Sequence, residues 1–283
     1  MQTHMHLVFG LSLALASALM VTGMSGDAFA QDTSPDEKDA LADFQAHVYT
    51  QGESGELPYR LLLPDTMNGP APVLIFLHGA GERGDDNRRQ LAHGTDFLRR
   101  AASEFGCIVV APQCPANSSW AAFERVDGEL ILHDKLTQPM ELVNALVDSL
   151  ADEYDVDPNR LYIMGLSMGG YGSWDAIARY PGKFAAAAPI CGGGHPSMAH
   201  KMVDTPVWAF HGDDDNVVPV ERSREMIQAI KDAGGEPKYT EYPGVNHGSW
   251  IPTFAEPELL PWIISQSLSG EAAQSQPATQ PQE

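Results

Sequence analysis

Short, continuous runs of apolar residues are the most regular feature of this chain. They lie at 73–77, 108–111, 161–164, 184–190 and 207–210. A continuous apolar run of this length is typical of a strand that is buried on both faces. The chain therefore predicts a sheet that is covered on both sides.

Between these runs, apolar residues recur at helical spacing. Met140, Val143, Val147 and Leu150 would lie on one face of a helix over 139–154. Further helices are predicted at 88–105, 171–180 and 221–233, with an irregular, proline-interrupted one at 250–267. Because strands and helices alternate, the prediction is an α/β fold, with a mostly parallel central sheet and helices on both faces.

Three segments depart from this alternation. Residues 44–50 and 57–63 flank a glycine-containing turn and predict an antiparallel N-terminal hairpin. Residues 238–242 predict the last strand. Residues 113–138 lack a clear period and are interpreted as a long loop, of the kind that often carries function.

The two ends of the chain differ from its centre. Residues 7–22 are apolar and precede Ala28-Phe29-Ala30, so residues 1–30 are predicted to be a secretory signal peptide that is cut after Ala30. An uncleaved membrane anchor is the alternative, but the apolar run is short for a spanning helix. Residues 31–40 and 269–283 are polar and predict a disordered linker and tail, which leaves 41–268 as one domain.

Acidic residues outnumber basic ones, and the resulting negative charge limits the kinds of partner that the protein can bind. The formal net charge of -21 argues against nucleic acid and anionic membranes. Of the three cysteines, Cys114 and Cys191 would both follow strands, so a disulfide between them and three free thiols are both open. Metal-ligand spacing and phosphate-binding glycine motifs are absent from the sequence, so neither a metal nor a cofactor is predicted.

The chemistry begins at the end of the run 161–164. Gly165-Leu166-Ser167-Met168-Gly169 follows it, and a helix is predicted next. This G-x-S-x-G pattern is typical of a nucleophile elbow, in which a sharp strand-to-helix turn exposes the serine hydroxyl beside a helix N-terminus. Ser167 is the candidate nucleophile, and a chance match in a glycine-rich chain is the alternative.

A serine nucleophile needs a histidine base, and that base needs a carboxylate to orient it. The loop after the last predicted strand carries His247. The loop one strand earlier carries Asp213, Asp214 and Asp215, which compete for one role. The order of serine, acid and histidine along the chain is the order found in α/β-hydrolases.

An oxyanion needs backbone N–H donors close to the serine. The residue after the nucleophile, Met168, supplies one candidate, and the loop after 73–77 supplies Ala80 as first choice and Gly81 as second. His78 and His211 each end an apolar run before a glycine, so both are interpreted as structural residues that hold turns.

Aromatic residues are candidates for a substrate-binding wall. Trp120 and Trp250 are the substrate-binding candidates, and Phe123 and Trp174 are weaker ones that are equally typical of a core. Trp250 lies three residues after His247. The side chain of Met168 either lines a pocket or packs in the core.

Residues 77–86, 165–172 and 211–219 together resemble the secreted α/β-hydrolases related to dienelactone hydrolases. The branch they resemble holds poly(3-hydroxybutyrate)-depolymerase-like and feruloyl-type esterases, and some members are labelled predicted peptidases. The family pattern His-Gly-x-x-Asp-x-x-Val-Pro implies that Asp215 is the acid. Dienelactone hydrolases themselves use a cysteine nucleophile, whereas this chain has Ser167, which argues against that activity.

The sequence predicts a secreted or periplasmic serine carboxylic-ester hydrolase that works through an acyl-enzyme, with 41–268 as its catalytic domain. Ser167, His247 and Asp215 would form the triad. Short-chain esters and feruloyl or acetyl esters of polysaccharide are the expected small-molecule or polymer-linked substrates. The alternatives are a serine peptidase, a polyhydroxyalkanoate depolymerase and, least favoured, a non-catalytic binding protein. No cofactor, nucleic acid or membrane contact after signal cleavage is expected, and no oligomeric state is predicted.

Overall fold

The structure is a computed structural model, and it describes residues 41–52, 55–126 and 129–268. The predicted signal peptide 1–30, linker 31–40 and tail 269–283 lie outside the described residues. Among the residues that are described, no helix is both long enough and apolar enough to cross a membrane.

A single eight-stranded sheet forms the centre of the fold. The strands, in chain order, are β1 Gln45–Thr50, β2 Glu56–Leu62, β3 Ala71–Leu77, β4 Ile108–Pro112, β5 Phe123–Val126, β6 Glu129–Leu132, β7 Val156–Leu166, β8 Ala186–Ile190, β9 Trp208–Gly212 and β10 Lys238–Tyr242. The sheet order is β1-β2-β4-β3-β7-β8-β9-β10, and β5 and β6 form a separate two-stranded hairpin. The six neighbouring strands β4, β3, β7, β8, β9 and β10 pair in parallel. Strand β2 pairs antiparallel with both β1 and β4. The predicted mostly parallel sheet with an antiparallel N-terminal hairpin is confirmed.

Helices cover both faces of the sheet. They are α1 Thr95–Phe105, α2 Gln138–Glu153, α3 Met168–Arg179, α4 Glu221–Asp232, α5 Trp250–Phe254 and α6 Leu259–Ile264. The apolar sides of α2, α3 and α4 pack in one core layer. Those of α1 and α6 pack in a second layer on the opposite face.

Strand β3 shows why the apolar runs are continuous. All seven of its residues are buried. Val73, Ile75 and Leu77 contribute to the first core layer, and Leu74 and Phe76 contribute to the second. Successive side chains of a strand point to opposite faces, so a strand between two helix layers must be apolar at every position.

Two predicted helices are shorter than expected. The helix predicted at 88–105 starts at Thr95, after a single 3-10 turn at Arg89–Leu91. Gly94 separates the two with a φ of 78°, a conformation in which a helix cannot continue. The final helix, predicted at 250–267, is divided into α5 and α6, as the prolines in that segment suggested.

The long loop predicted at 113–138 is wrong in part, because it contains β5 and β6. Each of these strands has only four residues, too few for a clear alternation of polar and apolar positions. Asp127-Gly128 stands between them in the sequence, and this dipeptide is a strong hairpin signal. The hairpin could have been predicted from that dipeptide.

The three cysteines are free thiols, and each is buried. A disulfide between Cys114 and Cys191 is therefore not part of this structure. Burial raises the pKa of each thiol to about 12. The thiols are consequently protonated and contribute to the fold as small apolar side chains.

Candidate active site

The turn between β7 and α3 has the geometry of a nucleophile elbow. Ser167 adopts φ 52° and ψ -114°, which is a strained conformation for a residue with a side chain. Its N–H donates to the carbonyl of Ile190 at 2.9 Å. A Cβ on Gly165 would lie 2.5 Å from the carbonyl oxygen of Gly169, and one on Gly169 would lie 1.9 Å from that of Leu77. Both glycines are therefore required by close backbone packing.

Three side chains from separate loops form one continuous hydrogen-bonded chain. Ser167 Oγ lies 2.9 Å from His247 Nε2, and His247 Nδ1 lies 2.7 Å from Asp215 Oδ2. The side chain of Asp215 is fully buried, whereas 19% of the His247 side chain is exposed. This hydrogen-bonded series thus runs from a buried carboxylate to a hydroxyl that solvent can reach.

Both carboxylate oxygens of Asp215 have hydrogen-bond partners. Its Oδ1 accepts the backbone N–H groups of Val217 and Val218, both at 2.9 Å. Its Oδ2 accepts from His247 and also faces His211 Nε2 at 3.1 Å. Burial alone would raise the pKa of Asp215, but the hydrogen bonds from His247 and from the two backbone N–H groups lower it below its usual value. Asp215 is therefore ionised and fixed in orientation.

The neighbouring acids are placed differently. Asp213 and Asp214 are both exposed, whereas Asp215 is buried. Asp213 Oδ1 accepts the N–H of Gly244 at 2.6 Å, and the N–H of Asp214 donates to the carbonyl of Val245 at 3.1 Å. These two residues join the loop after β9 to the loop that carries His247.

The predicted oxyanion donors lie at neighbouring strand ends. Met168 is the first residue of α3, and Ala80 begins a single 3-10 turn after β3. Strands β3 and β7 are paired, with Leu77 opposite Gly165, so both turns leave the same edge of the sheet. The first N–H groups of a helix have no acceptor within the helix, and they are available to an anion. Ala80 and Gly81 are exposed at this edge.

His78 fixes the turn after β3. Its Nδ1 donates to the carbonyl of Gly79 at 2.6 Å, and its Nε2 accepts the N–H of Cys114 at 2.9 Å. Burial lowers the pKa of His78 to about 4, so the ring is neutral with its proton on Nδ1. Trp120 Nε1 donates to the His78 carbonyl at 3.0 Å, from the other side.

The predicted aromatic wall is only partly present. Trp120 and Trp174 have no exposed surface, so the prediction that Trp120 binds substrate is wrong, because its ring serves the core and the His78 turn. Trp250 is partly exposed and packs edge-to-face on His247, with 5.6 Å between ring centroids. Its role in substrate binding stays a prediction. Phe123, the weaker candidate, lines the cavity at the serine.

A cavity of about 280 Å³ opens beside Ser167. The side chain of Met168 lines it and also packs against the first core layer, so both interpretations of that residue hold. The residues that line the cavity are Ser119, Ala121, Phe123, Leu130, Ser167, Met168, Tyr171, Val217 and Val218. Most of these side chains are apolar, which suits the hydrocarbon part of a ligand.

The β5–β6 hairpin supplies one wall of this cavity through Phe123 and Leu130, and α3 holds its base. Asp175, which is fully buried, accepts the N–H of Ala122 at 2.8 Å and pairs with Arg179. Arg179 donates in turn to the carbonyls of His133 and Asp134. An acid and a base on the helix after the elbow thus position the cavity wall, a link that the sequence pattern did not indicate.

Cys191 also lies close to the hydrogen-bonded chain. Its sulfur and one ligand atom each of Asp215 and His247 lie within 4.8 Å of one another, a spacing that could hold a metal ion. The thiol is buried and protonated, and Asp215 and His247 already bond to each other. A metal would have to displace the thiol proton of Cys191 and the proton that His247 Nδ1 shares with Asp215. These residues therefore fit a hydrogen-bonded chain better than a metal centre.

The sheet topology, the strained serine turn and the Ser167–His247–Asp215 chain together define an α/β-hydrolase. The family model of the dienelactone hydrolase family matches residues 87–258, and the chain belongs to that family.

Similar proteins agree with this fold. A bifunctional acetylxylan esterase/xylanase of Neocallimastix patriciarum is 27% identical over 170 residues, which cover 60% of this chain and 23% of that protein. Poly(3-hydroxyalkanoate) depolymerase C of Paucimonas lemoignei is 41% identical over 139 residues, or 46% of this chain and 30% of that protein. The crystal structure of a thermostable esterase is 41% identical, with a TM-score of 0.73, over 81% of this chain and 64% of the other. The chain thus spans less than a third of the length of both curated relatives.

Proposed function

We propose that this protein is an exported serine esterase that hydrolyses carboxylic esters through an acyl-enzyme. The observation that carries the proposal is the unbroken hydrogen-bonded chain from Ser167 Oγ through His247 to Asp215, with distances of 2.9 and 2.7 Å. Each of these three residues has the hydrogen-bond partner that its proposed role requires.

The first half-reaction forms the acyl-enzyme. Ser167 Oγ attacks the ester carbonyl carbon while His247 Nε2 takes the hydroxyl proton. The backbone N–H groups of Met168 and Ala80 stabilise the oxyanion, with Gly81 as the second choice. The carbon–oxygen bond to the alcohol then breaks, and His247 returns the proton to the leaving alcohol oxygen. Asp215 orients the imidazole and stabilises its charged form.

The second half-reaction releases the acid. A water molecule attacks the acyl carbon while His247 Nε2 accepts its proton, and a second oxyanion forms in the same place. The ester bond to Ser167 breaks, and the proton passes to Oγ. The carboxylic acid leaves and the enzyme is restored, with water as the other reactant.

The substrates proposed are short-chain esters and acetyl or feruloyl esters linked to polysaccharide. The apolar cavity of about 280 Å³ beside Ser167 has room for a small acyl group, and Phe123 offers an aromatic contact. The relative named as an acetylxylan esterase/xylanase supports a polysaccharide-linked ester.

Polyester hydrolysis is the second candidate. The observation that favours it is the 41% identity to a poly(3-hydroxyalkanoate) depolymerase, although over less than half of this chain. The exposed side chain of Val217 at the rim of the cavity would suit an apolar polymer. Release of soluble hydroxyacids from poly(3-hydroxybutyrate) granules would separate this activity from hydrolysis of acetylated xylan.

The test of the proposed mechanism compares wild type with Ser167→Ala on p-nitrophenyl acetate, butyrate and octanoate. Loss of a triad nucleophile lowers kcat by about a thousandfold or more. Ser197→Ala is the matched control, since Ser197 Oγ also bonds a histidine, His195, at 2.7 Å, but on an exposed 3-10 turn. We expect Ser197→Ala to keep wild-type activity. Wild-type activity in Ser167→Ala would refute the mechanism, and hydrolysis of a matched anilide as fast as the ester would favour a peptidase.

Export is tested separately. We propose that residues 1–30 are removed after Ala30, because the apolar run 7–22 and the Ala-Phe-Ala pattern are typical of a secretory signal. N-terminal sequencing of the protein recovered from a bacterial periplasm or medium is expected to begin at Gln31. Recovery of the intact N-terminus in the membrane fraction would instead indicate an anchor.

A further inference from the structure

His211 lies where β9 ends, and it is bonded to the acid of the proposed triad. Its side chain is fully buried. Nε2 is 3.1 Å from Asp215 Oδ2 and 3.0 Å from the carbonyl oxygen of Val218. Nδ1 is 2.7 Å from Ser223 Oγ on α4. The ring therefore connects the acid loop to a helix behind it.

The positions of the acceptors assign the proton on this ring. Nε2 faces a carboxylate oxygen and a carbonyl oxygen, both of which only accept, so Nε2 must carry hydrogen. Burial lowers the pKa of His211 and favours the neutral ring. A neutral ring protonated on Nε2 leaves Nδ1 as an acceptor for the Ser223 hydroxyl at 2.7 Å. The single hydrogen of that hydroxyl then points to Nδ1 and not to the more distant carbonyl oxygen of Gly192 at 3.1 Å.

Asp215 Oδ2 therefore receives two imidazole N–H groups. His247 Nδ1 donates at 2.7 Å and His211 Nε2 donates at 3.1 Å to the same oxygen. The backbone N–H groups of Val217 and Val218 occupy the other oxygen, Oδ1. If the bond from His211 were lost, Oδ2 would keep only one donor, and that donor is the ring that moves a proton during the reaction.

The backbone around His211 is equally constrained. A Cβ on Gly212 would lie 2.1 Å from the carbonyl oxygen of Val245, two residues before His247. Ser223 Oγ also lies 3.1 Å from the carbonyl oxygen of Gly192, beyond the end of β8. His211 thus sits between the segments that carry the acid and the base, with little freedom to move.

We propose that His211 is a positioning residue of the reaction, which donates a hydrogen bond to Asp215 Oδ2 and thereby fixes the carboxylate against His247. This inference rests on the proposed function, since it assigns work to the same triad. As a neutral donor, His211 orients Asp215 and withdraws only a small part of the negative charge that stabilises the His247 imidazolium.

Three variants separate positioning from simple support of the fold. His211→Leu removes the donor, and His211→Gln keeps an N–H group at similar reach, so it can bond both Asp215 and Val218. Phe210→Leu is the matched control, because Phe210 is the fully buried neighbour on the same strand and its ring packs on Trp208 rather than on the acid.

The measurements are kcat and KM on p-nitrophenyl butyrate from pH 4 to 9, with thermal unfolding of each variant. We expect His211→Leu to lower kcat about tenfold to a hundredfold at unchanged KM, as when a hydrogen bond to a charged group is lost. Its acidic limb should move to higher pH, because Oδ2 then keeps more negative charge for the His247 imidazolium. His211→Gln should restore kcat to within about threefold and return the limb.

The titratable groups around Asp215 must be considered in this profile. They are His211, His247 and Cys191, and Glu241 of β10 lies opposite His211 in the strand pairing. The Cys191 thiol is protonated throughout this pH range. The control Phe210→Leu leaves all four groups in place, so its limb should coincide with that of wild type.

The outcomes are distinct. A wild-type limb and kcat in His211→Leu, or a limb shift of equal size in Phe210→Leu, would overturn the proposal. If His211→Leu does not fold, Ser223→Ala is the second test, since it removes the hydroxyl that bonds His211 Nδ1 and holds the ring against Asp215. We expect it to lower kcat by about threefold and to move the acidic limb in the same direction. An unchanged kcat and limb in Ser223→Ala would then overturn it. Failure of wild type to react with a serine-directed fluorophosphonate would instead overturn the proposed function itself.

Discussion

Replacement of Gly169 by alanine tests how closely the elbow is packed. The new Cβ would lie 1.9 Å from the carbonyl oxygen of Leu77 and 2.9 Å from that of His78. Ordinary contact begins at 3.4 Å, so the shortfall at Leu77 is 3.4 − 1.9 = 1.5 Å. Both neighbours are backbone atoms, and no flexible side chain can yield.

The shift must therefore be taken by the end of β3 or the start of α3. Overpacking of this kind costs about 1–3 kcal/mol of folding free energy. Either movement also displaces a proposed oxyanion donor, Ala80 on one side or Met168 on the other. Because a displacement of about 1 Å in a catalytic group lowers rate about a hundredfold, we expect Gly169→Ala to lose about a hundredfold in kcat.

Gly106→Ala is the control for this substitution. Gly106 has a φ of 68° at the C-terminus of α1, and a Cβ there would meet no atom within 4 Å. It should cost about 1 kcal/mol from backbone strain alone and leave kcat unchanged. Thermal unfolding and ester hydrolysis are measured on both variants. If Gly169→Ala retained wild-type kcat and stability, close packing of the elbow would not be required for folding or catalysis, contrary to this prediction.

Three further predictions follow from the site. Asp215→Asn should lower kcat by about 10⁴-fold, as expected when the acid that sets the histidine tautomer is lost, whereas Asp213→Asn and Asp214→Asn should stay within about threefold; equal effects of all three in the same kinetic assay would contradict the choice of Asp215. His78 has an ordinary pKa of 6.5 and a folded pKa of about 4, so the unfolded chain binds this proton first and stability should fall as pH drops from 6.5 to 4, by about 3 kcal/mol. Thermal melts of wild type and His78→Asn across that window check this, and equal slopes would refute it. Phe123→Ala should raise KM for butyrate and octanoate esters by about tenfold more than for acetate, and a uniform change would place the acyl chain elsewhere.

The fold could be predicted because buried parallel strands leave a clear pattern. Residues 73–77 and 161–164 are apolar at every position, and both lie inside central strands. Boundaries were less accurate, since β7 begins at Val156, in a segment that reads as polar. Its first residues lie beyond the helix layers, where exposure removes the apolar requirement.

The candidate site was predictable where strand order fixes geometry. Parallel strands end at the same edge, so the loops that carry Ser167, Asp215 and His247 were expected to meet, and the structure brings these side chains into one chain. Contacts that depend on long-range packing were not accessible from the sequence. The burial of Trp120 behind the His78 turn and the bond from His211 to Asp215 both need the packed fold, because no spacing rule encodes them.

The three buried thiols have a practical consequence. Cys107 stands just before β4, Cys114 follows that strand, and Cys191 follows β8. A thiol reagent can react only when the surrounding structure opens, so the reaction rate at each cysteine reports the local opening of one part of the sheet. Mass spectrometry of partly labelled protein would thus measure, without any engineered probe, whether the edge beside Ser167 opens before the rest of the molecule.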